Sequence, residues 1–354
     1  MAERIPVTVL TGFLGSGKTT LLQRLLECEG GDGVAVIMNE LGEIALDNLF
    51  VQKVTESMVV LKNGCVCCTM RQDLQTGLRE LIDNKDMGKI KPFNRVVVET
   101  TGLADPTPIA MTLDADPLLR RHTRLANIIT TIDAIFGAEQ LKTHEESLRQ
   151  AGIADRLVLT KTDIVAPEQI TQTKEMIHKV NPTAMILDAN STESLWTQLF
   201  DIDPFDPLTK SDEVQHWLSE MAKIDEEDEH HHHEGEDGEV HHYHGDHYHH
   251  DKNDIQTFSF RTEEPLNWTA FGIWLSALLH RHGNEILRIK GLLNVPGAFG
   301  PVVINTVQSH ITPPSHLDEW PNEDHSSRLV FIVQGIKPET VRKSLNHFLA
   351  VLDQ

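Results

Sequence analysis

Apolar residues recur along this chain in two rhythms that alternate for the first two hundred positions. Val7 to Leu10 is a short apolar run of strand length, and Thr19 to Cys28 carries Leu21, Leu22, Leu25 and Leu26 at helical spacing. The alternation continues with a strand at Val34–Met38, a helical face at Arg71–Asp83 (Leu74, Leu78, Leu81, Ile82), and strands at Arg95–Val98, Leu125–Thr131 and Arg156–Thr160. Helices are expected at Phe136–Gln150 and Pro167–Val180, a last short strand at Ala184–Leu187, and a helix near Ser194–Phe200. Strands alternating with helices imply βαβ units and a mostly parallel sheet, so residues 1–205 read as one α/β domain.

The rhythm stops at Pro204 and Pro207, and after a short helical pattern at Val214–Ile224 the composition changes. From Asp225 to Asp251 there are ten histidines and eleven acidic residues but no lysine or arginine. Such a stretch has almost nothing to bury, so 206–254 reads as a flexible linker. Periodicity returns at Ile255, with strands expected at Thr257–Arg261, Glu285–Val295, Val302–Val307 and Arg328–Val333. Helices are expected at Leu266–His280 and Lys337–Leu352. Residues 255–354 therefore read as a smaller α+β domain.

The formal net charge of −22 argues against a nucleic-acid surface and against docking on anionic lipid, since both need a basic footprint. No apolar run reaches membrane-spanning length. Met1–Pro6 enters the first strand with no room for a signal peptide, so a cytoplasmic protein is expected. Three of the four cysteines fall together, which is no disulfide framework.

The chemistry is concentrated at the strand ends. Gly12-Phe13-Leu14-Gly15-Ser16-Gly17-Lys18-Thr19, followed by Thr20, completes a G-x-x-x-x-G-K-[ST] phosphate loop between a strand and a leucine-rich helix. Its backbone N–H groups would cradle phosphates, Lys18 would reach the β- and γ-phosphates, and the Thr19 hydroxyl would ligate Mg²⁺. Glu99, delivered by an apolar strand, is the second candidate on the Mg²⁺ side, and Gly102 can donate its N–H to a γ-phosphate. Thr160-Lys161-Thr162-Asp163 partly matches the Asn-Lys-x-Asp element that reads guanine, with Lys161 along the base and Asp163 accepting from it, so GTP is preferred over ATP. Lys18, Glu99 and Glu40 are the catalytic candidates; Glu40 and Glu99 both remain open for orienting the attacking water.

Cys65, Cys67 and Cys68 form a thiolate cluster suited to Zn²⁺, with Glu43 (or Glu40) as an oxygen ligand. Redox and packing roles are the alternatives; a Cys67–Cys68 disulfide between neighbours would be strained. The imidazoles of His230, His231, His232, His233, His241, His242, His244, His247, His249 and His250 suit weak capture of several borderline ions.

Taken together, Thr11–Thr20, Asn39-Glu40-x-Gly42-Glu43, Gly64-Cys65-Val66-Cys67-Cys68, Glu99-Thr100-Thr101-Gly102 and Thr160-Lys161-Thr162-Asp163 resemble the CobW-like metallochaperone GTPases. These are relatives of the nickel-insertion GTPases for hydrogenase and urease. Arg288-x-Lys290-Gly291 and Gln308-Ser309-His310 resemble that family's second domain. The resemblance implies a P-loop NTPase domain with a mostly parallel sheet, followed by a smaller CobW C-terminal-like α+β domain. It also implies GTP hydrolysis with Mg²⁺, zinc held by the Cys-x-Cys-Cys loop, and delivery to a client metalloprotein. Cobalt delivery for corrin synthesis and a histidine-rich metal buffer are the alternative readings, and a homodimer is left open.

Overall fold

The computed structural model describes residues 4–27, 31–39, 58–61, 69–191, 195–201, 217–220 and 255–352. The chain forms two compact units, one of residues 1–178 with 184–209, the other of residues 179–183 with 210–354.

The first unit is built on a seven-stranded, all-parallel sheet. Its strands are β1 (Ile5–Gly12), β2 (Val34–Asn39), β3 (Met58–Leu61), β4 (Arg95–Glu99), β5 (Thr123–Asp133), β6 (Arg156–Thr160) and β7 (Met185–Asp188), in the order β3-β2-β4-β1-β5-β6-β7. Parallel strands need crossovers, and helices supply them. These are α1 (Lys18–Leu26), α2 (Thr69–Asp86), α3 (Thr107–Ala115), α4 (Pro117–His122), α5 (Gly137–Thr143), α6 (Glu145–Gly152) and α7 (Pro167–Val180). A turn of π-helix at Thr197–Asp201 follows.

One face of the sheet presents Leu10, Val36, Met38, Val97, Ile129 and Val158. Leu21, Leu22, Leu25 and Leu26 of α1 pack there, with Leu199 and Phe200. The alternate residues Val9, Ala35, Ile37, Val98, Ile128 and Leu159 are equally buried, as a parallel sheet covered on both sides requires. Each fully buried leucine contributes roughly 1.5–3 kcal/mol, which is why the α1 leucines can hold that helix against the sheet.

Most expected elements appear near their expected bounds, but one expected helix is split and several short elements are new. The single helix at 136–150 is two, α5 and α6, broken at His144, whose backbone is extended (φ −119°, ψ 114°). The edge strand β3 and the helices α3 and α4 were not foreseen. The last two begin at or beside a proline, Pro106 and Pro117, which supplies no backbone N–H donor where none is needed.

Asp116 joins three of these helices. Its carboxylate caps α4 by accepting from the backbone N–H groups of Leu118 (2.8 Å) and Leu119 (3.1 Å). It also accepts from Gln75 and from Arg79 (2.5 Å) on α2. Burial alone would raise the Asp116 pKa, but these hydrogen bonds outweigh it and hold the carboxyl below its usual range.

The second unit is an antiparallel sheet of six strands. They are β8 (Ile255–Thr262), β9 (Ile286–Leu293), β10 (Val302–Val307), β11 (His310–Ile311), β12 (Ser315–His316) and β13 (Ser327–Gln334), ordered β11-β10-β9-β13-β8 with β12 also on β10. Helices α8 (Trp268–His282) and α9 (Pro338–Leu352) cover one face, where Phe258, Phe271, Trp274, Ile289, Phe331 and Leu345 form the core. The other face carries Leu292, Val303 and Val330, against which Trp217 and Leu218 pack. Of the helix expected at Val214–Ile224, residues 217–220 are described, and they are helical. No helix among the described residues is long and apolar enough to cross a membrane.

Asp116→Ala should cost about 1–2 kcal/mol through the lost cap alone, read as a lower urea midpoint. A depressed folded pKa stabilises above the unfolded value, near pH 4. That contribution is lost as pH falls through the depressed folded value. The gap between wild type and variant should therefore be full at neutral pH and close on acidification.

Candidate functional site

In a parallel sheet all strand C-termini lie at one edge, and that edge is where ligands bind in open α/β folds. Here β1 sits between β4 and β5, with Leu10 opposite Glu99 and Gly12 opposite Thr131. The loop leaving β1 therefore emerges between two strand ends that can both reach it.

The loop needs its glycines. Gly12, Gly15 and Gly17 have φ of +142°, +72° and +88°, where side chains with a Cβ are strained. At Gly12 a Cβ would also lie 2.3 Å from Thr131 Oγ1. A threonine network then braces the turn. Ser16 Oγ bonds Thr131 Oγ1 (2.7 Å), Thr160 Oγ1 donates to Ser16 O (2.8 Å), and Thr100 Oγ1 donates to Thr11 Oγ1 (2.8 Å). Helix α1 begins at once behind Gly17, so its N-terminal N–H groups and dipole face the loop.

Lys18 is buried, and its Nζ donates to the carbonyls of Gly12 (2.9 Å) and Phe13 (3.1 Å) at the mouth of the loop. Burial lowers its pKa, while the Glu99 carboxylate opposes that shift. Thr19 Oγ1 donates to Glu99 Oε1 at 2.6 Å, with Glu99 buried. Hydroxyl and carboxylate thus meet beside the phosphate loop as a hard oxygen pair, the donor chemistry that Mg²⁺ takes. Thr20 is exposed on the first turn of α1.

Gly102 lies against the phosphate loop at Leu14. A Cβ there would lie 2.6 Å from the Leu14 backbone N, so the segment after Glu99 lies directly on the phosphate loop. Gln150 of α6 holds the segment by donating to Gly102 O (3.2 Å) and Ala104 O (2.9 Å).

At the end of β6, Lys161 adopts a left-handed backbone (φ +59°) and its Nζ pairs with the buried carboxylate of Asp133. Asp163 is exposed and accepts from Asn190 Nδ2 at 2.9 Å. Through Thr160 this corner is joined to the phosphate loop. Asp133, Gln150 and Asn190 were not singled out from sequence. Asp133 and Asn190 each lie at or just past a strand C-terminus, the signal that could have found them.

The structure thus brings together Gly12, Gly15, Ser16, Gly17, Lys18, Thr19, Glu99 and Gly102, and it sets Lys161 and Asp163 past the end of β6, two strands from β1. Glu40, Glu43, Cys65, Cys67, Cys68 and the histidines from His230 to His250 lie outside the described residues. Among the described residues no three His, Cys, Asp or Glu side chains converge as a metal site.

Comparison with known proteins gives a consistent picture. Residues 6–188 match the family described as CobW/HypB/UreG, nucleotide-binding domain, and residues 255–349 match the cobalamin synthesis protein cobW C-terminal domain. The chain is 30% identical over 342 residues to the zinc chaperone YjiA of Escherichia coli, covering 96% of each chain. It is 36% identical over 193 residues to the zinc-regulated GTPase metalloprotein activator 1 of Schizosaccharomyces pombe, covering 52% of this chain and 46% of that protein. Its fold matches the crystal structure of zinc(II)-bound YjiA GTPase from Escherichia coli with a TM-score of 0.65 at 24% identity, over 98% of this chain and 99% of that one.

Gly102→Ala should force the phosphate loop to shift, because the contact is with backbone. Nucleotide binding, measured with a fluorescent analogue, should weaken about fivefold or more, in line with the 1–3 kcal/mol typical of overpacking. At Gly15 a Cβ meets nothing within 4 Å, so Gly15→Ala should weaken binding less, through backbone strain alone.

Proposed function

The chain belongs to the CobW/HypB/UreG family of P-loop GTPases, and from that membership we propose a GTP-dependent zinc metallochaperone that hands its ion to a client metalloprotein. The observation that carries the nucleotide half is the Thr19–Glu99 hydrogen bond beside Lys18 and Gly102. It supports assigning these residues to the phosphates and their metal ion.

In this reading the loop N–H groups and Lys18 hold the β- and γ-phosphates of GTP. Thr19 and Glu99 would hold Mg²⁺, which would supply positive charge to offset that of the phosphates. Catalysis is then positioning and electrostatics: the buried Lys18 ammonium acts on the transferring phosphoryl group where water cannot screen it. Gly102 lies against Leu14 and is held by Gln150, so this segment is placed to register loss of the γ-phosphate. Lys161 and Asp163 read the guanine.

The zinc half rests on sequence and topology. Strand β3 ends at Leu61 and α2 begins at Thr69, both at the edge that carries the phosphate loop. The segment joining them contains Cys65, Cys67 and Cys68, which we assign to zinc as cargo, with Glu43 as a further ligand. The histidines between His230 and His250 would collect ions weakly and supply that site. The relatives named as zinc chaperones favour zinc over cobalt as cargo. Free thiolates fit a reducing cytoplasm.

Two variants separate the halves. Lys18→Ala should lose GTP hydrolysis while keeping tight zinc. Cys67→Ser should lose the tightest zinc site, read by chelator competition, while nucleotide affinity of zinc-free protein stays within about twofold of wild type, because no thiol is assigned to the nucleotide. Tight zinc persisting when Cys65, Cys67 and Cys68 are all replaced would overturn the site assignment.

A further inference from the structure

The guanine-reading element normally begins with asparagine; here that position is Thr160, and its hydroxyl is committed to the phosphate loop through Ser16 O. An asparagine is nevertheless present at this corner. Asn190, two residues past the end of β7, places its amide beside the loop that carries Asp163.

Every proton in the surrounding network has a consistent assignment. Arg24 of α1 donates to Asn190 Oδ1 (3.3 Å), which fixes the amide with its NH₂ toward the Asp163 loop. That NH₂ donates to Asp163 Oδ1 (2.9 Å) and Thr162 Oγ1 (3.0 Å). The Thr162 hydroxyl spends its single proton on Asp188 Oδ1 (2.6 Å), which also accepts from the Asn190 backbone N–H (2.8 Å). The network starts on the helix behind the phosphate loop and ends on one oxygen of an exposed carboxylate.

We propose that Asn190 is the specificity-positioning residue of the base site, holding Asp163 in the rotamer that accepts from the N1–H and 2-amino groups of guanine. An exposed aspartate is otherwise free to rotate, and ordering it only on binding would weaken recognition. A neutral amide donor holds the carboxylate without competing for it as a cation would, and the second oxygen stays available to the base. The inference rests on the reading of Asp163 as the guanine acceptor.

The test compares GDP, IDP and ADP binding to the full chain by titration calorimetry. IDP lacks only the 2-amino group, so the GDP to IDP ratio isolates one hydrogen bond to the carboxylate. Wild type should prefer GDP by about tenfold or more, as a charge-assisted hydrogen bond warrants. Asn190→Ala should bring that ratio down toward one, weakening GDP most and IDP less, since IDP keeps the N1–H, while ADP affinity moves little. Asn190→Asp keeps the side-chain volume but sets a second carboxylate against Asp163, and it should narrow the ratio at least as far. Equal weakening of all three nucleotides, with the GDP to IDP ratio intact, would overturn the proposal and leave Asn190 a brace of the loop. If wild type shows no preference for GDP and Asp163→Ala changes nothing, the guanine reading itself falls. If Asp163→Ala loses the preference and both Asn190 variants keep it, only the role of Asn190 falls.

Discussion

The adjacency of β1 and β4, with Leu10 in register with Glu99, is the constraint on which the nucleotide site depends. A parallel pair delivers both C-termini to one edge, so the phosphate loop and the acidic strand end meet without any long-range search by flexible side chains. The 2.6 Å bond from Thr19 to Glu99 is the product of that register. A slip of one residue would turn Glu99 to the opposite face of the sheet and into the helices covering it. Thr131 and Thr160, on β5 and β6, tie the loop at Ser16, and Thr100, just past β4, ties Thr11 at the end of β1, which keeps an otherwise glycine-rich turn in one conformation.

The same edge carries the elements that flank the cysteines in sequence. In strand order β3 lies three places from β1, with β2 and β4 between, a separation of about 14 Å at the usual strand spacing. Helix α2 leaves from that edge immediately after Cys68 and is fastened through Gln75 and Arg79 to Asp116, between α3 and α4. Helix α3 follows directly on the Glu99–Gly102 segment. Elements on both sides of the cysteine segment are thus packed into the framework that holds the nucleotide site. That gives the proposed coupling between GTP and zinc a physical basis in the fold.

Much of this was legible in the sequence, and the exceptions have identifiable causes. The phosphate loop could be read because its glycines are demanded by backbone angles that few other residues tolerate. β5 and β6 could be read because doubly covered strands are continuous apolar runs. β3 was missed because four residues at a sheet edge carry little pattern. The break at His144 was missed because apolar residues on both sides, Leu141 and Leu148, continue one helical rhythm across it. α3 and α4 were hidden by Pro106, Pro108 and Pro117, which read as breakers though they sit at or near helix starts. At the site, the residues proposed to touch phosphate or base lie in local motifs. Asp133, Gln150 and Asn190 act through contacts tens of residues away in the chain, which no local pattern records.

The central claim is that nucleotide state and zinc affinity are coupled at one tight site. The most direct measurement is zinc affinity by chelator competition, on protein lacking residues 225–251, with GDP and with a non-hydrolysable GTP analogue. The account predicts a single tight site whose affinity changes by roughly fivefold or more between the two states, the lower end of typical coupling energies. Identical affinities in the two states would contradict it.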